Sequence, residues 1–274
     1  MRLLTRSALL GAVSSVQAFT YNTRFENVTW DDDNWRLTTT NLDQGHYESR
    51  MMEPFSEVDT RVNGDQINGW PLFDRRQTFA TIAGFYDSQP TLNGTNSEWL
   101  NQHGWESAIS GVPHWSSIAV ISPGGQVLNA SVPALQISSF ISTLDIGAGS
   151  MRWSCTWTPQ GEPAIDVEYS MFVSKLYVNR AAVQLKLTPS RDMNVTVMDI
   201  LDGDCAQRTD FVNKSYQANS STIWTAVRPN GIANVTANVY STMAGDFNSS
   251  TRANVLDPSV IGTNSSSIAQ SFNA

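Results

Sequence analysis

The sequence has few of the residues that build the commonest catalytic and metal centres, with three histidines and two cysteines in 274 residues. It contains no Gly-rich phosphate loop, no G-x-S-x-G elbow, no H-E-x-x-H motif and no Cys/His zinc spacing. Beyond the N-terminus, no apolar run is long enough to span a bilayer. These absences exclude the enzyme classes that the motifs define, and we expect no metal, no cofactor and no membrane partner.

Positive charge is also scarce. Lys and Arg number 17 against 25 Asp and Glu, which gives a net charge of −8 at pH 7. Because a chain this acidic is repelled by phosphate backbones, nucleic acid is excluded as a partner. The length allows a sizeable core and fits one large β domain as readily as two small ones.

Residues 1–18 have the order of a secretory signal peptide. A basic start at Arg2 and Arg6 precedes an apolar stretch, and small residues end it at Ala18. An apolar N-terminal strand or helix is the alternative interpretation. The pattern predicts a secreted mature chain of residues 19–274, located outside the cell, in the cell wall or in a vacuole.

Sequons of the form N-x-[ST] support this route, because they accept glycans only in a secreted chain. Nine are present, at Asn27, Asn93, Asn129, Asn194, Asn213, Asn219, Asn234, Asn248 and Asn264. Chance in an Asn/Ser/Thr-rich chain is the alternative for several of them. In an oxidising compartment Cys155 and Cys205 are predicted to form one disulfide, and two unpaired thiols remain the alternative.

From Gly111 onward the dominant pattern is apolar and polar residues in alternation. It is clearest where Met151, Trp153, Cys155 and Trp157 alternate with polar neighbours, and it returns over residues 165–173, 183–187, 193–197 and 235–239. Turn signals follow at residues 123–125, 159–161 and 229–231. Sheets with one wet and one packed face give this pattern, so the prediction is a mainly β fold built as a large antiparallel sandwich, with few short helices and one of them at Ser97–His103.

Acid clusters are the remaining candidates for chemistry, since glycosidases work with two carboxylates. Asp31, Asp32 and Asp33 lie beside Trp30 and Trp35, an arrangement that can hold a sugar ring; an acidic surface turn with two core tryptophans is the alternative.

Two further segments carry grouped polar residues. Asp199, Asp202 and Asp204 resemble a cation loop but miss its spacing, so a turn after a strand explains them better. The segment Trp70–Gln77 holds Trp70, Asp74 and Arg75, which suit either a sugar contact or an internal ion pair.

Three long strings carry a family resemblance: WDDDNWRLTTTNLDQGHYESR from Trp30, NGDQINGWPLFDRRQTFATIAGFYDSQPTLNGTN from Asn63, and SAISGVPHWSS from Ser107. They resemble the N-terminal region of the fungal acid trehalases of glycoside hydrolase family 65, and the similarity continues through STLDIGAGSMRWSCTWTP and DILDGDCAQRTDFV. Between Arg50 and Phe55 the sequence is shorter than the family pattern, which predicts the loss of one strand pair.

The resemblance implies that residues 19–274 form an antiparallel β-sandwich, incomplete at its C-terminal end, that precedes a catalytic (α/α)-barrel absent from this sequence. In the complete enzyme that barrel supplies the catalytic glutamate and hydrolyses α,α-trehalose to two glucose molecules, with inversion at the anomeric carbon. No catalytic residue is therefore assigned here, and the chain alone is expected to be inactive. Trehalose or a related carbohydrate and the missing barrel are the expected partners, with Trp70, Asp74, Arg75 and Trp35 as candidate sugar contacts.

Two other hypotheses remain open. The sandwich alone can act as a carbohydrate-binding module through exposed tryptophans such as Trp30, Trp35 or Trp70. It can also be an inactive cell-surface glycoprotein with no ligand.

Overall fold

The computed structural model describes residues 19–20, 28–40, 80–90, 105–128, 132–203, 206–256 and 265–274. Of residues 19–20, 89–90 and 105–106 it describes the backbone alone. The predicted signal peptide, the helix at Ser97–His103 and the shortened stretch between Arg50 and Phe55 lie outside the described residues.

Nineteen strands, numbered along the chain, account for most of the described structure. The largest sheet is antiparallel and seven-stranded. From edge to edge its strands are β1 (Phe19–Thr20), β2 (Val28–Asp31), β3 (Arg36–Thr39), β10 (Ile137–Asp145), β11 (Ser150–Trp157), β12 (Ile165–Val173) and β13 (Ala181–Pro189).

A five-stranded sheet forms the second layer, in the order β18 (Asn248–Val255), β19 (Ile268–Asn273), β14 (Thr196–Asp202), β8 (His114–Ile121) and β9 (Val127–Leu128). A three-stranded sheet follows, made of β15 (Thr209–Gln217), β16 (Thr222–Pro229) and β17 (Ala237–Thr242). Two short pairs complete the strands: β4 (Ala80–Tyr86) with β7 (Ile109–Val112), and β5 (Gln89–Pro90) with β6 (Trp105–Glu106). A 3-10 turn at Ala134–Gln136 precedes β10.

The main core lies between the seven-stranded and five-stranded sheets. On β11 the side chains of Met151, Trp153, Cys155 and Trp157 are buried, while the residues between them are partly or fully exposed. They pack against buried residues of the second sheet, among them Ala119, Val197 and Ile200. The predicted antiparallel sandwich is therefore confirmed, because alternate burial places one face of each strand in the core.

The central strands of the five-stranded sheet are covered on both faces, which the alternation pattern did not predict. Strand β14 is buried from Val197 to Asp202, because Ile200 packs against the seven-stranded sheet while Leu201 packs against Ile223 of the three-stranded sheet. The strand begins at Thr196 rather than Met193, and β17 likewise begins at Ala237 rather than Val235. A central strand with two packed faces has a nearly continuous apolar sequence, so apolar and polar residues no longer alternate there.

The predicted turns are confirmed at the glycines that need them. Gly125, Gly161 and Gly231 all adopt φ near +80°, at +80°, +78° and +75°. Glycine is the residue that takes this conformation at little cost.

The described sequon asparagines, at Asn194, Asn213, Asn219, Asn234 and Asn248, are all exposed. Cys155 is buried and unpaired within the described part of the chain, and burial raises the pKa of its thiol to about 12. Cys205 lies outside that part, so the disulfide stays a prediction. No helix among the described residues is long and apolar enough to cross a membrane.

Candidate functional site

Three hairpin tips lie side by side at one end of the seven-stranded sheet. A single row of paired residues crosses six strands there, running through Asp31, Arg36, Asp145, Ser150, Phe172 and Ala182. The tips that follow this row are residues 32–35, 146–149 and 174–180. Antiparallel pairing places alternate hairpin turns at the same end of the strands, so three local turns lie together at this end of the sheet.

Polar contacts join the first two tips. The Arg36 Nε–H donates to Asp145 Oδ2 at 2.7 Å, and the Ala148 N–H donates to Asp145 Oδ1 at the same distance. The Ile146 N–H donates to the Trp35 carbonyl at 3.0 Å. The Ala148 N–H first and Arg36 second hold the pKa of Asp145 below its usual range. This carboxylate therefore stays ionised in mild acid and fixes the two turns together.

The tip of β2 and β3 contains the acidic cluster that the sequence singled out. Asp31 accepts hydrogen bonds from the Asn34 side chain at 2.7 Å and the Asn34 N–H at 3.1 Å, which lower its pKa. The Trp30 indole N–H donates to Asp32 Oδ1 at 3.3 Å. Trp35 has φ +54° and is 58% exposed, so it does not belong to the core. The tip thus presents an aromatic face beside hydrogen-bond acceptors. This arrangement can bind a ligand, but it does not supply a proton donor for general acid catalysis.

The third tip exposes three consecutive apolar or aromatic side chains between Lys175 and Asn179. Leu176 is 80% exposed and Val178 is 85% exposed, with Tyr177 between them under the Arg180 guanidinium. Together with neighbouring exposed side chains they form what we call the hairpin-tip surface, made of Trp35, Ile146, Phe172, Val173, Leu176, Tyr177 and Val178. Sequence reasoning missed it, although the short run KLYVNR between two alternating strands was a usable signal.

Of the predicted sugar contacts, Trp35 lies at this end of the sheet, while Trp70, Asp74 and Arg75 lie outside the described residues. The structure therefore locates one of the four predicted sugar contacts, and it remains a prediction that the four lie together.

A second polar cluster lies inside the molecule, and here the sequence interpretation was wrong. Asp199 and Asp202 are not in a turn: both are buried in β14. Asp199 accepts from the Ser241 hydroxyl and from Gln270 Nε2, each at 2.8 Å, and Gln270 also donates to the Ser221 carbonyl at 2.8 Å. Burial raises the pKa of Asp199. The cluster links the five-stranded sheet to the three-stranded sheet, and Asp204 lies outside the described residues.

The remaining titratable groups indicate structural roles. His114 is buried, its Nδ1 lies 3.0 Å from the Ser116 hydroxyl, and burial lowers its pKa to about 4. His46 and His103 lie outside the described residues. Across the described ranges, no group of three or more His, Cys, Asp or Glu side chains is placed to hold a metal ion.

Layered antiparallel sheets of this kind define the class of mainly β sandwich domains. The chain belongs to a family of that class: the glycosyl hydrolase family 65, N-terminal domain, matches residues 37–273.

Among curated relatives, a cell wall acid trehalase of Arthroderma benhamiae is 47% identical over 92% of this chain, and an acid trehalase of Emericella nidulans is 44% identical over 92%. The chain spans about a quarter of the length of these relatives, 25% in each case.

A solved structure described as a candidate kojibiose phosphorylase from human microbiome has the same fold. The match has a TM-score of 0.58 at 14% identity, and it covers 90% of this chain and 31% of the other.

Proposed function

We propose that this chain is the N-terminal β-sandwich of a secreted acid trehalase and that it supports and borders the sugar site of a barrel outside this sequence. The observation that carries the proposal is the 47% identity to a cell wall acid trehalase over 92% of the chain. Identity of this extent preserves the fold. The relatives named for the cell wall fit a location outside the cell, as do the five exposed sequons among the described residues.

We assign the catalytic step to the part of the relatives that this chain does not match. The two carboxyls at the first two hairpin tips, Asp31 and Asp145, have lowered pKa values and act as hydrogen-bond acceptors. An inverting glycosidase needs a protonated acid as well, held several ångströms from its base. We therefore assign structural and site-bordering roles to this chain.

A chimera tests the proposal. The matched N-terminal quarter of the Arthroderma benhamiae relative is replaced with this chain, and glucose release from trehalose is measured at mildly acidic pH. We expect the chimera to keep at least a tenth of the relative's activity, because interfaces tolerate substitutions outside a few central residues. The relative with that quarter deleted is the control and should be inactive. A soluble but inactive chimera would count against the proposal.

A second candidate function is carbohydrate binding by the sandwich alone, and the exposed indole of Trp35 favours it. Aromatic faces beside carboxylates and amides bind sugar rings, and Asp32, Asp33 and Asn34 flank this indole.

The test follows tryptophan fluorescence while trehalose is added to the 274-residue chain. If the sandwich binds sugar there, a saturable change appears and Trp35→Ala removes it, whereas Tyr240→Ala, which removes a comparably exposed aromatic residue from the three-stranded sheet, does not. The absence of any saturable change would eliminate this function.

A further inference from the structure

We propose that the hairpin-tip surface is a protein-docking surface and that its occupant is the remaining part of the full-length polypeptide. This inference rests on the proposed function, since it names the surface through which the sandwich meets the rest of the enzyme. Three features of the seven side chains support it: their composition, the hydrogen bonds that hold their turns, and their position relative to the sequons.

The composition favours a protein partner. Four of the seven side chains are aliphatic: Ile146, Val173, Leu176 and Val178. Aliphatic groups offer a sugar neither a flat ring face nor a hydrogen bond, whereas they suit the dry centre of a protein interface. Exposed apolar side chains gathered at one end of a domain mark a contact site, although Lys175 and Arg180 of the third tip lie among them.

The tips are held in place rather than left loose. Besides the Asp145 contacts, the Ser174 N–H donates to the Arg180 carbonyl at 2.9 Å and the Tyr177 N–H donates to the Ser174 hydroxyl at 3.0 Å. The Arg180 N–H closes the turn on the Tyr177 carbonyl at 2.8 Å. A turn with this many internal bonds presents Leu176 and Val178 in one arrangement, which lowers the entropy lost on docking.

The position of the sequons agrees with a buried surface. The described sequons lie in the connection after β13, in the three-stranded sheet and its turns, and at the start of β18. None of the described residues of the seven-stranded sheet is a sequon asparagine. Glycans need a solvated surface, so an end of the sheet at which none of the described sequons lies is a part of the domain that another protein segment can cover.

The length of the relatives supports this choice of occupant. They are about four times as long as the matched region, since the chain spans 25% of each. A domain that forms a quarter of a longer polypeptide packs on its other parts through an interface of several hundred square ångströms or more. We therefore assign the hairpin-tip surface to that interface rather than to a second copy of the chain.

Hydrogen exchange tests the assignment. Backbone exchange of residues 174–180 is compared between the 274-residue chain and the chimera described above. We expect exchange at these amides to slow at least tenfold in the chimera, because docking removes them from solvent. The turn at Pro159–Gly161, at the other end of the same sheet, is the internal control and should exchange equally in both proteins.

A substitution pair supports the same test. Leu176→Asp places a charge in the proposed interface and is expected to return residues 174–180 of the chimera to the exchange rate of the free chain. Leu135→Asp changes a fully solvent-exposed leucine in the turn before β10 and should leave that rate slowed.

Each outcome is decisive. Equal exchange in chain and chimera overturns the inference, even if the chimera is active. Protected tips in an inactive chimera support it while the proposed function fails. Protection that grows with the concentration of the 274-residue chain would assign the surface to a second copy, and protection by added trehalose alone would assign it to carbohydrate. Either result overturns the occupant proposed here.

Discussion

Gly231→Ala is expected to lower the free energy of unfolding by about 3 kcal/mol, because two separate costs meet at this turn. The backbone has φ +75°, where a side chain is strained. A Cβ built there would lie 2.2 Å from the Ser88 carbonyl oxygen, which is backbone and cannot rotate away. The Ser88 N–H in turn donates to the Asn230 carbonyl at 2.8 Å, so a shift of the turn also breaks this bond.

Gly125→Ala is the matched control for this prediction. Its φ of +80° is similar, but no other group lies within 4 Å of the position that a Cβ would take. It should therefore show the conformational cost alone, about 1–2 kcal/mol. Chemical denaturation of the 274-residue chain measures both. Equal losses in the two variants would mean that the contact between Gly231 and Ser88 does not constrain the fold.

The second large effect is a loss of unfolding free energy with rising pH that is caused by Asp199. Burial raises the pKa of this carboxyl above the ordinary 3.8 of the unfolded chain. The folded state therefore binds the Asp199 proton more tightly than the unfolded chain does. The contribution of this proton to the free energy of unfolding is fully present below pH 3.8 and is lost as the pH rises through the folded pKa. Within that window the loss is up to about 1.4 kcal/mol per pH unit.

Asp199→Asn tests this prediction, because the asparagine side chain has nearly the same shape as aspartate and does not ionise. Rotation of the Gln270 amide would bring its Oε1, which has no hydrogen-bond partner in the described part of the chain, to the new N–H. The same rotation gives up the hydrogen bond from Gln270 Nε2 to the Ser221 carbonyl. The variant can therefore lose some stability at every pH, and the prediction concerns only the change with pH. We expect the variant to gain stability relative to the native chain as the pH is raised from about 4 to about 7. The carboxyls with lowered pKa, Asp31, Asp145 and Glu168, act in the opposite direction in both proteins and cancel. A stability difference that does not change with pH would refute the role of Asp199.

The sequence predicted well the parts of the fold that depend on local pattern. The alternation of β11 and β12 follows from one wet and one packed face, and Gly161 and Gly231 mark turns because the backbone there needs a positive φ. These features are determined by a few neighbouring residues, so they can be read without knowing the tertiary structure.

The third layer and the buried acid could not be predicted in the same way. Asp199 resembles a surface loop residue in sequence, and its burial follows from partners at Ser241 and Gln270, 42 and 71 residues away. The row of hairpin tips likewise depends on strand order, which places β3 beside β10 despite the long separation in sequence. Long-range pairing of this kind leaves no periodic signal.

The central claim is that this chain supplies the supporting sandwich while the chemistry resides elsewhere in the enzyme. Glucose release from trehalose, measured side by side for the 274-residue chain and the chimera, tests it most directly. We predict no release above the heat-inactivated control from the chain alone and clear release from the chimera. Glucose produced by the chain alone would place the catalytic carboxylates within these residues and contradict the account.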